Sequence, residues 1–333
     1  MPKLGLGLSL PINSGLNSVI FQNGFWTNFS STIGKIITGF NSTFTASLTV
    51  NWGDGTTTPL TSGVNVNKTL GTTNAIKLET NNAVVTRINC GGSLPRLGGT
   101  VDISSFPYLV EFRCNSNDIT ALSGYAENIN LIDVQFNNNK VIDPLPSLNS
   151  LINLQHFSCY SNQLTGSIPS LSNLTDLRVF ECDRNQLTGS IPSLSGLTNL
   201  QYFYCYENQL TGSIPSLDGL TDLRFFYCYK NQLTGSIPSL SSLTNLQYFY
   251  CYDNQLTAFE GGSVSNTLGY FQAQNNQLTS TAVNAILTAL VAANKTTGTR
   301  FLNLGGTGNA APTGQGITDK ATLVSRGWTV TTN

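Results

Sequence analysis

Residues 197–216 read LTNLQYFYCYENQLTGSIPS, and close copies lie on both sides. Cys159, Cys182, Cys205, Cys228 and Cys251 fall 23 residues apart, one to a copy. A fixed period of about 20–29 residues with apolar side chains at set offsets marks a stacked solenoid, because one such unit cannot bury its apolar face alone. In this copy Leu197, Leu200, Phe203, Cys205, Leu210 and Ile214 are the apolar positions; Asn208 precedes Gln209 and Leu210, and Gly212 and Pro215 punctuate the return. Successive side chains of a strand point to opposite faces. With Phe203 and Cys205 inward, Tyr202, Tyr204 and Tyr206 face outward.

The recurring LTGSIP run resembles the LxGxIP class of leucine-rich repeats known from plant receptors and some bacterial surface proteins, over about 200 residues. The resemblance implies an α/β solenoid, predominantly β and right-handed, with a concave parallel sheet and mostly irregular convex returns. It does not by itself assign a function.

Charged residues make up 10% of the chain and the net charge is −1, so no basic surface waits for a phosphate backbone and nucleic acid is not an expected partner. No apolar run is long enough to span a bilayer, so membrane insertion is not expected. The start, MPKLGLGLSLPINSGL, is broken by Gly, Ser and Pro11 and lacks the continuous apolar segment of a signal peptide. Of the seven cysteines, Cys90 and Cys114 take the inward position in earlier, looser copies, where a thiol acts as a small hydrophobe. Disulfide pairing is the rival reading; free inward thiols point instead to folding in a reducing cytoplasm. No two cysteines lie two to four residues apart, so no zinc site, and no other cofactor, is expected.

Four regions follow. Residues 1–30 form a leader carrying Val19, Ile20, Phe21, Phe25 and Trp26, either a docking arm or a flexible terminus. Residues 31–80 read as strands: Phe44, Ala46, Leu48 and Val50 alternate with polar residues, and Asp54-Gly55 signals a hairpin. The WGDGT there resembles the turn of PKD-type immunoglobulin-like modules, which implies a short β cap on the first repeat. Asp54 alone is too few carboxylates for calcium. Residues 81–279 are repeats, with inward pairs Ile88/Cys90, Phe112/Cys114, Val134/Phe136 and Phe271/Ala273 flanking the regular copies. Asn117, Asn139, Asn162, Asn185, Asn208, Asn231, Asn254 and Asn276 recur where the strand turns away, to bond backbone groups that stacking buries. Residues 280–333 form a cap: Val283, Ile286, Leu287, Leu290 and Val291 predict a helix over 281–294, and 301–304 reads as a last strand. The tail resembles C-terminal segments of repeat proteins from Bacteroidetes and their phages, and a terminal repeat must differ or it exposes an apolar end.

Tyr202, Tyr204 and Tyr206 align with Phe225, Tyr227 and Tyr229 and then with Tyr248, Tyr250 and Tyr252; Tyr270 extends one row and Tyr160 stands further back. Ten of the twelve tyrosines thus fall on one face. Neighbouring strands lie about 4.8 Å apart, so the rings form columns. Strand aromatics that merely stack on one another explain one column; three filled columns favour a binding surface. Glu207, Lys230 and Asp253 form a polar rim, with Glu181, Asp183 and Arg184 one copy earlier. As outward positions, Tyr204, Tyr227 and Tyr250 are expected to tolerate alanine with little effect on folding.

Catalysis finds little support. His156 and Ser158 share a face, but i, i+2 residues sit about 7 Å apart, beyond the reach of a base and its nucleophile. Glu181 and Asp183 have the spacing of an inverting glycosidase pair, yet on an open sheet beside Arg184 they read as a solvated charged patch. The expected function is therefore recognition: a phage virion surface protein binding a host glycan or protein, its leader docked to other virion proteins. A bacterial surface or secreted adhesin is the alternative, and a scaffold without ligand is the third reading.

Overall fold

The computed structural model describes residues 16–21, 35–44, 48–51, 57–60, 66–70, 76–81, 85–89, 98–104 and 107–333, with side chains at 88, 89, 101, 103, 104 and from 107 onward. The WGDGT turn, Phe25, Trp26, Ala46 and Cys90 lie outside the described residues. The chain divides into two compact units, Met1–Leu164 and Thr165–Asn333.

The first unit contains β1 (Leu16–Phe21), β2 (Lys35–Phe44), β3 (Leu48–Asn51), β4 (Thr57–Leu60), β5 (Val66–Leu70), β6 (Ile76–Asn81), β7 (Val85–Asn89), β8 (Gly98–Asp102), β9 (Glu111–Arg113), β10 (Asp118–Ser123), β11 (Asp133–Gln135) and β12 (His156–Ser158). β1, β6, β3 and β4 form an antiparallel sheet, so the strand within the leader pairs with the segment that follows it. β2 pairs antiparallel with β5 and with β7. From β7 the pairing turns parallel, through β9 and β11 to β12. Ile88, Phe112, Cys114, Val134 and Phe136 are buried, as their alternation requires.

The second unit contains β13 (Val179–Glu181), β14 (Tyr202–Tyr204), β15 (Phe225–Tyr227), β16 (Thr234–Ile237), β17 (Tyr248–Tyr250), β18 (Gln255–Phe259), β19 (Tyr270–Gln272), α1 (Ser280–Ala293), β20 (Phe301–Asn303), α2 (Gln315–Ser325) and β21 (Thr329–Thr331). β13, β14, β15, β17, β19, β20 and β21 form one parallel ladder without register slips, each pair exchanging equivalent residues of successive copies. Phe180, Phe203, Phe226, Phe249 and Phe271 are wholly buried, as are the thiols of Cys182, Cys205, Cys228 and Cys251. Cys205, Cys228 and Cys251 are free thiols.

The Asn ladder is built as the sequence implies. Asn208 Nδ2 donates to the carbonyls of Cys182 and Cys205, each at 3.1 Å, while its Oδ1 accepts the Leu187 N–H at 3.0 Å. One amide thus satisfies two successive turns where backbone groups leave the sheet. The residue before each ladder Asn is left-handed: Arg184, Glu207, Lys230 and Asp253 have φ of 51–53°.

The returns are mostly irregular, with parallel bridges at Ser167–Thr188, Ser190–Thr211 and Ser213–Thr234 and a pairing of β16 with β18. Two expectations need correcting. The strand at 301–303 is not the last, because α2 and β21 follow and complete another strand–helix–strand turn. The helix expected over 281–294 begins one residue earlier, with the Thr279 hydroxyl accepting the Ala282 N–H. It buries Val283, Ile286, Leu287 and Leu290, but Val291 is only half-buried.

Candidate functional site

The repeat places Tyr202, Phe225, Tyr248 and Tyr270 in one column, Tyr204, Tyr227 and Tyr250 in a second, and Tyr206, Tyr229 and Tyr252 in a third. Along the first column ring centroids lie 5.0, 4.8 and 4.5 Å apart, with planes within 10–11° of parallel. The second column steps by 4.6 and 4.5 Å and the third by 4.3 Å twice. Between columns the rings meet edge-on or tilted, at 6.1–6.5 Å. Tyr160 belongs to the first unit and is half-buried.

This geometry changes what the surface offers. Stacked rings cover one another's faces, so the tyrosines are half-buried rather than broadly exposed. What remains toward solvent is ring edges and hydroxyls. Each aromatic pair adds about 0.5–1.5 kcal/mol beyond area burial, so the columns also hold the ladder together. The stacking at Tyr204, Tyr227 and Tyr250 therefore argues against the expectation that alanine is harmless there. Burial, and then the neighbouring ionisable groups, push the phenols of Tyr204, Tyr227 and Tyr229 well above their usual range, and Tyr250 to about 12. At neutral pH the columns are an uncharged lattice of hydrogen-bond donors and acceptors.

The rim is ordered by its left-handed backbone. Lys230 Nζ bonds Glu207 Oε1 at 2.7 Å, and Arg184 Nε approaches Glu207 Oε2 at 3.4 Å. The Lys230 hydrogen bond holds the Glu207 carboxyl below its usual range. The Arg184 guanidinium sits 5.3 Å from the centroid of Tyr206. Asp253 accepts from Asn275 Nδ2 at 2.7 Å. The solvated patch expected at Glu181 and Asp183 is not one: Asp183 is 2% exposed. Burial raises its carboxyl to about 6, against a hydrogen bond from the Tyr206 hydroxyl that favours the anion. Asp183 occupies the third-column position ahead of Tyr206, where no ring can stack.

In the first unit His156 is not poised over Ser158. His156 Nδ1 lies 3.3 Å from Gln135 Nε2 and 3.9 Å from Asp133 Oδ2. Asp133 is held by Arg113 at 2.6 Å, and Ser158 is buried. The cluster is an ion-pair network. No group of three or more metal-ligating side chains occurs among the described residues. Among them, too, no helix is long and apolar enough to cross a membrane.

Gln247, Thr267, Gly269, Lys295 and Thr299, which sequence reasoning passed over, line a cavity of about 310 Å³ together with Tyr248 and Tyr270 of the first column. A side chain at 269 would strike the Thr299 carbonyl at 2.7 Å, so glycine lets the 294–300 loop close over this edge.

Residues 221–261 match the family model described as Leucine Rich repeats (2 copies). No match to the chain is found among curated protein sequences. Among solved structures, PEPR1-AtPEP1 is similar at 24% identity and a TM-score of 0.60, over 75% of this chain and 35% of that one. The ectodomain of the Arabidopsis receptor kinase HAESA, bound to an extended IDA peptide hormone, is 30% identical over 55% of this chain and 33% of its own, with a TM-score of 0.49. The functional domain of InlJ from Listeria monocytogenes, which includes a cysteine ladder, is 21% identical over 71% of this chain and 52% of that one, with a TM-score of 0.48. The chain spans about a third of the length of the first two. The fold is a leucine-rich-repeat solenoid carrying a parallel sheet.

Proposed function

We propose that the protein is a recognition module that holds an extended polypeptide against the tyrosine columns of its second unit. The observation that carries this reading is the contrast between the two sides of the same strands. Inward rings are all phenylalanine from Phe180 to Phe271, whereas the outward columns keep a hydroxyl on nine of ten rings from Tyr202 to Tyr270. Stacking alone needs no hydroxyl. A lattice of phenols, with Glu207, Lys230 and Asp253 at its edge, suits a partner rich in backbone amides and carbonyls.

A glycan is served less well. Sugars pack their apolar C–H faces on open aromatic faces, and here ring spacings of 4.3–5.0 Å close those faces. A virion surface contacting a host and a bacterial adhesin remain two settings for the same activity; the first rests on the leader at residues 1–30. A scaffold without ligand needs none of the hydroxyls.

The test is binding of purified protein to a panel of intact bacterial cells after protease or periodate treatment of the cell surface. Protease should abolish binding and periodate leave it. Loss with periodate alone would transfer the site to a glycan, and absence of binding to untreated cells would favour the scaffold.

A further inference from the structure

The first column does not end as it runs. From Tyr202 to Tyr270 the rings stay nearly parallel, but Phe301, the next in register, is tilted 38° with its centroid 6.2 Å away. The stack opens there. The cavity of about 310 Å³ flanks this break, with Tyr248 and Tyr270 on one side and the loop residues Lys295 and Thr299 on the other.

The charge at this place is one-sided. Lys295 Nζ donates to the carbonyls of Asn266 at 3.0 Å and Thr267 at 3.3 Å, which leaves one ammonium proton. Arg300 donates through Nη1 to the Thr296 carbonyl, and its Nε is buried with no acceptor. Ion pairs on Glu111, Asp118, Asp133 and Glu207 lie elsewhere. Lys295 and Arg300 thus share one edge of the sheet, and neither joins these ion pairs of the described residues. Burial and then the Arg300 guanidinium push the Lys295 ammonium below its usual value. An anion beside it would oppose that shift by favouring the charged ammonium.

We infer that this cavity receives the carboxylate of an acidic side chain, with Lys295 as counter-charge and the Tyr248–Tyr270 edge as its wall. The inference rests on the polypeptide reading of the columns and gives that ligand a chemical feature: a glutamate or aspartate placed where the first column opens. Thr299 and Gln247 add neutral polar groups to the lining. The volume exceeds one carboxylate side chain and leaves room for the flanking peptide units.

Two probes test it on the full chain: the α-amide of N-acetylglutamate, whose one carboxylate is the side chain, and N-acetylglutaminamide, its neutral counterpart. Ring signals of Tyr248 and Tyr270, followed by NMR during titration, should move saturably with the first probe. The second should bind at least tenfold more weakly. Lys295→Gln should weaken the first probe at least tenfold. Because Lys295 also holds two carbonyls, Thr299→Trp, which obstructs the cavity and leaves the charges in place, should give the same loss. Equal affinity for the two probes, no saturable shift, or binding of glucuronate where the glutamate probe fails would each overturn the assignment. Probe binding that survives Tyr204→Phe/Tyr227→Phe/Tyr250→Phe while cell binding is lost separates cavity from columns. Cell binding intact with no probe binding rejects the cavity alone.

Discussion

The Asn231 amide donates to the Cys205 and Cys228 carbonyls, each at 3.1 Å, and accepts the Leu210 N–H at 3.0 Å. Asn231→Ala orphans groups on two turns at once, and each such loss costs about 1–3 kcal/mol. Urea unfolding should show a loss of roughly 2–4 kcal/mol, and a loss below about 1 would mean that water replaces the amide. Asp183 makes a second prediction at this scale. Its folded carboxyl titrates at about 6, against about 3.9 for an unfolded aspartate. The native state therefore holds the proton more tightly. The cost of burying the charge is absent below about pH 4, grows between the two values and is complete above pH 6. From pH 4 to 7.5 the wild type should lose up to roughly 3 kcal/mol relative to Asp183→Asn. Parallel stability profiles for the two proteins would contradict the burial. The sequence hid this residue because Glu181, Asp183 and Arg184 read together as a surface run, and only the turn geometry after β13 buries the middle one.

At the scale of the element, the strands were legible and their energetics were not. Alternation within QYFYCY fixes which residues face in, and Phe203 and Cys205 are buried as that period demands. That neighbouring tyrosines would close over one another's faces depends on the side-chain directions of stacked turns, which no single copy reveals. Tyr204→Ala/Tyr227→Ala/Tyr250→Ala removes the stacks at 4.6 and 4.5 Å and should cost roughly 3–6 kcal/mol. The corresponding triple phenylalanine variant keeps the stacks and should stay within about 1 kcal/mol of wild type. A harmless alanine triple would mean that the columns bear no weight in the fold. The helix α1 was legible from its apolar stripe, whereas α2 buries only Gly316, Asp319 and Leu323. Three scattered buried positions in QGITDKATLVS give no period, and tertiary hydrogen bonds such as Thr288 Oγ1 to Asp319 Oδ2 at 2.6 Å place it instead.

At the scale of the molecule, the 23-residue repeat fixes the fold because every copy must bury the same face. The same repetition puts equivalent outward residues in rows, so the ten rings of the candidate site could be read from a single copy and its period. The cavity at Lys295 could not, because it exists only where the repeat is broken by α1 and the 294–300 loop closes over the sheet edge. The ligand is not written in the repeat: the same solenoid serves whichever chemistry its outward residues carry. The deciding measurement is cell-surface binding by wild type and by Tyr204→Phe/Tyr227→Phe/Tyr250→Phe, with thermal unfolding of both as control. Removal of three hydroxyls should leave the melting temperature nearly unchanged and weaken binding at least tenfold; equal binding by two equally stable proteins would remove the recognition site from the tyrosine columns.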